Sequence, residues 1–74
     1  MTDDDMPPQA TDGELRARLA LLREEHHDLG DAIEALEQRP QPDLLQVARL
    51  KRRKLALRDA IQKLEDRLTP DIIA

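Results

Sequence analysis

Several residue types are missing from this 74-residue sequence, which has no cysteine, no phenylalanine, tyrosine or tryptophan, and no serine. Without cysteine there is no disulfide, no cysteine-ligated zinc site and no thiolate nucleophile, and without serine there is no serine nucleophile. Because aromatic rings are missing, the usual stacking platform for single-stranded nucleic acid is missing too. We therefore expect a protein that is not an enzyme and that uses no cofactor.

Membrane and export signals are also missing from the sequence. The longest apolar runs, such as residues 19–22, have only four residues, whereas a membrane-spanning helix needs about 20. The start of the chain is acidic, with Asp3, Asp4 and Asp5, and lacks the apolar stretch of a signal peptide. We expect a cytoplasmic protein that makes no membrane contact.

The first half of the chain has the pattern of an acidic tail followed by a long helix. Residues 1–10 contain few large apolar side chains, which predicts a disordered tail. Thr11 and Glu14 have the spacing of a capping box, which predicts that a helix begins here and runs over about 12–38, through Gly30. Its apolar stripe follows alternating steps of four and three residues: Leu15, Leu19, Leu22, His26, Leu29, Ile33 and Leu36.

The second half repeats this pattern after a loop with two prolines. Proline cannot continue a helix, so we predict a loop at residues 39–42 and a second helix over about 43–69. Thr69 is expected to end that helix because it precedes Pro70, and residues 70–74 form a short tail. The second stripe steps by three and four residues: Val47, Leu50, Lys54, Leu57, Ile61, Leu64 and Leu68.

A short loop between two helices predicts that they pack antiparallel. The numbers of facing residues should then add to a constant, and along the two stripes they add to 79 or 80. This register places the only two polar residues of the seam, His26 and Lys54, in one layer. The apolar pairs are Leu15 with Leu64, Leu19 with Ile61, Leu22 with Leu57, Leu29 with Leu50, and Ile33 with Val47.

Opposite charges on the two helices support the antiparallel pairing. Residues 12–38 hold 8 acidic and 3 basic residues, a net charge of −5, and residues 43–68 hold 4 acidic and 8 basic residues, a net charge of +4. Each exposed ion pair is worth only a few tenths of a kcal/mol. The register predicts two contacts of opposite charge and one of like charge on the flanks: Glu25 with Arg53, Arg16 with Glu65, and Arg23 with Arg58.

The layer of His26 and Lys54 has two interpretations. We favour a structural role, in which a polar layer within an apolar seam fixes the register and the number of chains. The alternative is a proton-active pair or an anion site. His27 and Asp31 lie one helical turn apart, but adjacent histidines point about 100° apart on a helix and the HExxH pattern is missing, so we predict no metal site.

A basic segment lies in the second helix, with six basic residues among residues 49–58. The simpler interpretation is a solvated face that balances the acidic first helix. The alternative is a surface that binds phosphates or an acidic partner, although the net charge of −4 disfavours nucleic acid as the main partner. The residues of this candidate anion or partner patch are Arg49, Lys51, Arg52, Arg53 and Arg58.

Self-association is expected because a bare two-helix hairpin has a single seam and little interior, and chains below about 80 residues usually need additional stabilisation. We therefore predict an all-α, coiled-coil-like antiparallel hairpin that forms a homo-oligomer, with a dimer arranged as a four-helix bundle favoured. An unknown protein partner is also expected. The candidate oligomer face consists of large apolar residues outside the seam: Leu21, Leu44, Leu45 and Leu55.

A characteristic spacing links His26, Leu29, Ile33 and Asp43 to a later stretch that reads Leu50-Lys51-x-x-Lys54-Leu55-x-x-Arg58-Asp59-x-Ile61. With this spacing, roughly residues 15–65 resemble the YdcH-like family of small bacterial proteins, a domain of unknown function (DUF465). The resemblance implies a bacterial cytoplasmic helical hairpin, and Arg58 stands where the family commonly has lysine. It implies no catalytic residues, because the family has no assigned activity.

Overall fold

The computed structural model describes residues 6–69 as two helices that pack against each other. Helix α1 spans Asp12–Glu37 and helix α2 spans Leu44–Leu68, with residues 38–43 between them. This confirms the all-α hairpin predicted from the two stripes. The tail residues 1–5 and 70–74, for which we predicted disorder and a short tail, lie outside the described residues.

The helix ends follow from specific side chains. The predicted capping box is confirmed, because the Glu14 N–H donates to Thr11 Oγ1 at 3.1 Å and the Thr11 N–H donates to Glu14 Oε1 at 2.8 Å. The hydrogen bond from the Thr11 backbone, followed by that from its side chain, lowers the pKa of the Glu14 carboxyl from its usual value of 4.5. The acceptor therefore stays ionised at the positive end of α1, which favours the helix.

The second helix begins one residue later than we predicted. Asp43 has extended backbone geometry and its carboxylate accepts a hydrogen bond from the Gln46 N–H at 3.1 Å. Asp43 is therefore the cap of α2 rather than its first residue, which is the usual role of aspartate before an apolar run. At the other end Thr69 is extended, as expected for a residue that precedes proline.

The core lies along the seam and consists of two clusters. The polar layer of His26 and Lys54 falls between them in sequence register. Ala60 is buried although the stripe pattern did not include it, since it flanks the seam rather than lying on it. One cluster is near the open end of the hairpin and the other is near the loop: Leu15, Leu19, Leu22, Leu57, Ala60 and Leu64, then Ile33, Leu36 and Val47.

Residues 6–10, which we assigned to a disordered tail, contact the open end of the hairpin. The Ala10 N–H donates to the Pro7 carbonyl at 3.1 Å and closes a turn. The Arg67 guanidinium donates to the carbonyls of Met6 at 3.2 Å and Pro7 at 2.8 Å, and Met6 packs against the first core cluster. These contacts across the open end give the segment a defined place, and composition alone does not reveal them.

Among residues 6–69, one side of the seam has an ion pair of Arg23 with Glu65 and one of Lys51 with Glu37, and we call these two pairs the ion-pair row. Arg23 Nη2 lies 2.6 Å from Glu65 Oε2, and Lys51 Nζ lies 2.9 Å from Glu37 Oε2. All four side chains are substantially exposed to solvent. Each pair therefore adds only a few tenths of a kcal/mol to stability, but together they mark which side chains converge on this side.

The two flank pairs of opposite charge predicted from the register were wrong. Glu65 pairs with Arg23 and not with Arg16, and Glu25 forms no ion pair with Arg53 in the part of the chain that the structure describes. The reason is that helical side chains lean toward the N-terminus of their own helix. In an antiparallel pair this brings Arg23 and Glu65 together, whereas Arg16 and Glu65 lean apart.

Candidate functional site

An open groove of about 730 Å³ lies between the helices at the polar layer. It faces the side of the ion-pair row, since Glu37 and Lys51 are part of its wall. The groove is open to solvent rather than enclosed. Its lining includes three residues from each helix: His26, Gly30 and Glu34 from α1, and Lys54, Leu55 and Arg58 from α2.

The polar layer forms the inner part of this groove. His26 and Lys54 are both half-buried and both line it, although no hydrogen bond joins them among residues 6–69. A Cβ atom on Gly30 would lie 3.5 Å from Lys54 Nζ and 3.7 Å from Lys54 Cε. The end of the lysine side chain thus lies across the glycine, where its ammonium reaches the open groove while its methylene groups cover the seam.

The basic segment is divided between two surfaces. Lys51 and Arg58 belong to the groove, and Lys51 is already paired with Glu37. Arg49, Arg52 and Arg53 are exposed, do not line the groove, and have no ion pair or hydrogen bond with the residues that the structure describes. Two residues of the predicted patch thus line the groove, and three lie outside it.

The four leucines of the predicted oligomer face are all exposed. Their exposed fractions are 54% for Leu21, 73% for Leu44, 62% for Leu45 and 58% for Leu55. Leu44 and Leu55 are 11 residues apart, which is three turns of α2, so they share one face of that helix. Leu55 also lines the groove, which joins the exposed apolar face to the polar layer.

From the sequence we missed two residues of the groove lining, Gly30 and Glu34. We took Gly30 only as a position through which the helix runs, but its missing side chain opens the groove beside Lys54. The sequence shows a glycine next to the seam and a lysine on the facing helix, but not that the lysine side chain ends beside the glycine. Glu34 was not singled out either, and it lines the same groove.

Candidate metal groups and membrane-spanning helices were sought in the described part of the chain. His27 Nε2 lies 3.4 Å from Asp31 Oδ2, and residues 6–69 contain no group of three or more histidine, aspartate or glutamate side chains placed to hold a metal. Neither helix in that range is long and apolar enough to cross a membrane.

These features define a small antiparallel helical hairpin with an exposed apolar face and an open, charged groove. The profile of the DUF465 family, described as a protein of unknown function, matches residues 19–65, which is more than half of the chain. The chain therefore belongs to the DUF465 family, as the resemblance to YdcH-like proteins predicted. No curated protein and no solved structure matches it.

Proposed function

We propose that this protein is a non-enzymatic helical hairpin that associates with itself, with a dimer favoured, and acts in the cytoplasm through protein–protein contacts. The observation that carries the proposal is the exposure of four leucines, each more than half exposed, while the buried residues within 6–69 lie along a single seam. Exposed large apolar residues that share a face, as Leu44 and Leu55 do on α2, are typical of a surface that packs against another chain.

The geometry of α2 supports an apolar contact face. Leu44 and Leu55 lie on the same side of the helix, and Ala48, one turn after Leu44, is also exposed. A second hairpin that packs on this stripe would bury it and form a four-helix bundle, the arrangement that gives small helical chains a real interior. The cytoplasmic setting and the four-helix geometry are part of the proposal.

Thermal unfolding at several protein concentrations tests the proposal. Self-association raises Tm with concentration, because binding stabilises only the folded chain. Replacing both Leu44→Gln and Leu55→Gln should remove most of that dependence while leaving Tm at the lowest concentration within a few degrees, since glutamine and leucine have similar helix propensities. Ala17→Gln, an exposed position on α1, is the matched control and should keep the dependence.

A Tm that does not change with concentration in the unmodified chain would overturn the proposal. So would a double variant whose concentration dependence equals that of the Ala17→Gln control. Either result would mean that the exposed leucines do not hold two copies of the chain together.

A second candidate function, binding of phosphates in nucleic acid, is favoured by one observation. Arg49, Arg52 and Arg53 are exposed and have no acidic partner among the described residues, so their charges are available to an anionic backbone. The net charge of −4 and the pairing of Lys51 with Glu37 argue against nucleic-acid binding.

Fluorescence anisotropy with duplex DNA at low and high salt separates the two functions. Sub-micromolar, salt-sensitive binding that is lost in a variant with Arg49→Glu, Arg52→Glu and Arg53→Glu would support the second candidate. Our leading proposal expects no such binding at physiological salt.

A further inference from the structure

The ion-pair row has a gap at its centre. Gly30 lies midway between the two α1 members of the row, seven residues from each, and Arg58 lies midway between the two α2 members, again seven residues from each. Seven residues make about two helical turns, so the three positions on each helix lie on one face. Gly30 and Arg58 therefore stand where a third ion pair would form, but the acidic side chain is missing.

Two cations converge on this gap. The Lys54 ammonium lies 3.5 Å from the place that a Gly30 Cβ would occupy, and Arg58 follows Lys54 by one helical turn. Neither Lys54 nor Arg58 forms an ion pair or a hydrogen bond with any residue in the range 6–69. The ammonium of Lys54 and the guanidinium of Arg58 are therefore neighbours on α2, whose position is fixed by its packing against α1.

The local charge indicates what kind of anion fits. Glu37 and Lys51 neutralise each other within the groove wall. Glu34 is the remaining acidic group of the lining and stands against the two positive charges of Lys54 and Arg58. With His26 counted as neutral, the groove has a formal net charge of +1, which matches a monoanionic carboxylate better than a dianionic phosphate.

We propose that the gap formed by Gly30, Lys54 and Arg58 is a carboxylate-binding notch. The Arg58 guanidinium supplies two parallel N–H donors for the two carboxylate oxygens, and Lys54 adds a second charge at the inner end. Leu55, which lines the groove next to these cations, contacts the methylene groups that follow the carboxylate. The carboxylate belongs either to a free small acid or to an acidic side chain on a second copy of the chain.

An NMR titration of the full chain with sodium butyrate tests the notch. Butyrate combines one carboxylate with a short apolar body, and sodium chloride at equal ionic strength and uncharged butyramide are the controls. The expected result is a saturable shift of the Gly30 backbone amide and the Arg58 Nε–H signals with butyrate only. Equal shifts with sodium chloride, or shifts with butyramide, would overturn the proposal.

Variants at Gly30 sharpen this test. Gly30→Glu places a carboxylate opposite Arg58, completes the ion-pair row and should weaken butyrate binding about tenfold or more, which is about 1.4 kcal/mol. Gly30→Ala is the matched control, because its methyl group meets Lys54 only at ordinary contact distance and should leave butyrate binding within about twofold. Unchanged binding in Gly30→Glu, with helicity by circular dichroism intact, would overturn the proposal.

Removing a cation while keeping the fold gives an independent readout. Arg58→Gln keeps a long, helix-favouring side chain but loses the charged fork, so butyrate binding should again fall about tenfold. Binding that survives in Arg58→Gln would contradict the assignment even if Gly30→Glu abolished it.

Dilution distinguishes the two sources of the carboxylate. If the Gly30 and Arg58 signals move on dilution of the protein without butyrate, and in the direction opposite to the butyrate shift, the natural ligand is an acidic side chain of a second copy. If they are unchanged by dilution yet respond to butyrate, the ligand is a free small acid. The notch shares Leu55 with the leucine face. The variants that test the notch change only Gly30 and Arg58, so a loss of butyrate binding in them is separate from a loss of self-association.

Discussion

Gly30 weakens helix α1 locally, and its missing side chain also keeps the groove open. Glycine in a helix interior costs about 1 kcal/mol relative to alanine, yet α1 continues through this position with ordinary backbone geometry. The groove beside Lys54 exists because no side chain fills that space. The sequence therefore carries a local cost at the one place where the two cations become accessible.

Replacing Gly30→Ala should make the protein more stable. The new methyl group would meet Lys54 at an ordinary contact distance of 3.5 Å, and the gain in helix propensity is about 1 kcal/mol, so Tm should rise by about 4–8 °C. Gly13→Ala in the first turn of α1, where a Cβ atom would be nearly free of contacts, is the comparison and should raise Tm less. A lower Tm for Gly30→Ala would contradict this expectation.

The stability of the first turn of α1 should depend on pH through the Glu14 carboxyl group. Its pKa is lowered in the folded protein, so the stability from its capping contact is fully present above 4.5 and is lost as the pH falls through the lower folded value. The Thr11 amide proton, which donates to Glu14, should therefore shift in NMR spectra as the pH falls below 4.5.

Glu14→Gln is the matched control for this pH dependence. Glutamine keeps the acceptor of the capping box but does not titrate, so the Thr11 amide should lose its acid transition. The same transition in both proteins would show that another group causes it.

Within a helix, adjacent leucines differ in burial according to whether they face the seam. Leu22 is fully buried, with 0% of its surface exposed, while its neighbour Leu21 is 54% exposed. Leu22→Ala should cost about 2–5 kcal/mol, which is most of the stability of a hairpin of this size. Leu21→Ala, measured by urea unfolding at the lowest usable concentration, should change stability by no more than about 0.5 kcal/mol. Similar losses for the two variants would contradict the seam.

The stripes of the two helices could be predicted from the sequence, but the side-chain pairs beside them could not. The period of the apolar residues decides which face of each helix is buried, and it correctly placed Leu22 and Leu64 in the core. The flank pairs depend on the direction in which long side chains lean, which spacing alone does not contain. This is why Arg23, and not Arg16, reaches Glu65.

The groove was only partly predictable for the same reason. The register brought His26 and Lys54 to one level of the hairpin, where both line the groove. The role of Gly30 depends on where the Lys54 ammonium ends, which is decided by the packing of its four methylene groups. The sequence alone does not show whether a glycine in a helix opens a gap or only lowers helix stability.

For the whole molecule, the core is thin. Its two clusters lie in a single row, and Leu29 and Leu50 near the polar layer are only partly buried. A chain of 74 residues without disulfides has few other sources of stability, and in residues 6–69 the large apolar side chains left on the surface are the leucines at 21, 44, 45 and 55. A second copy that covers them would add the missing layer.

Sedimentation equilibrium of the full chain at micromolar concentrations tests the proposed self-association most directly. The chain has a mass of 8.5 kDa, so a dimer of hairpins predicts a species of about twice that mass whose share falls on dilution. A single folded species at the mass of one chain, with helicity unchanged across the same concentrations, would contradict the account.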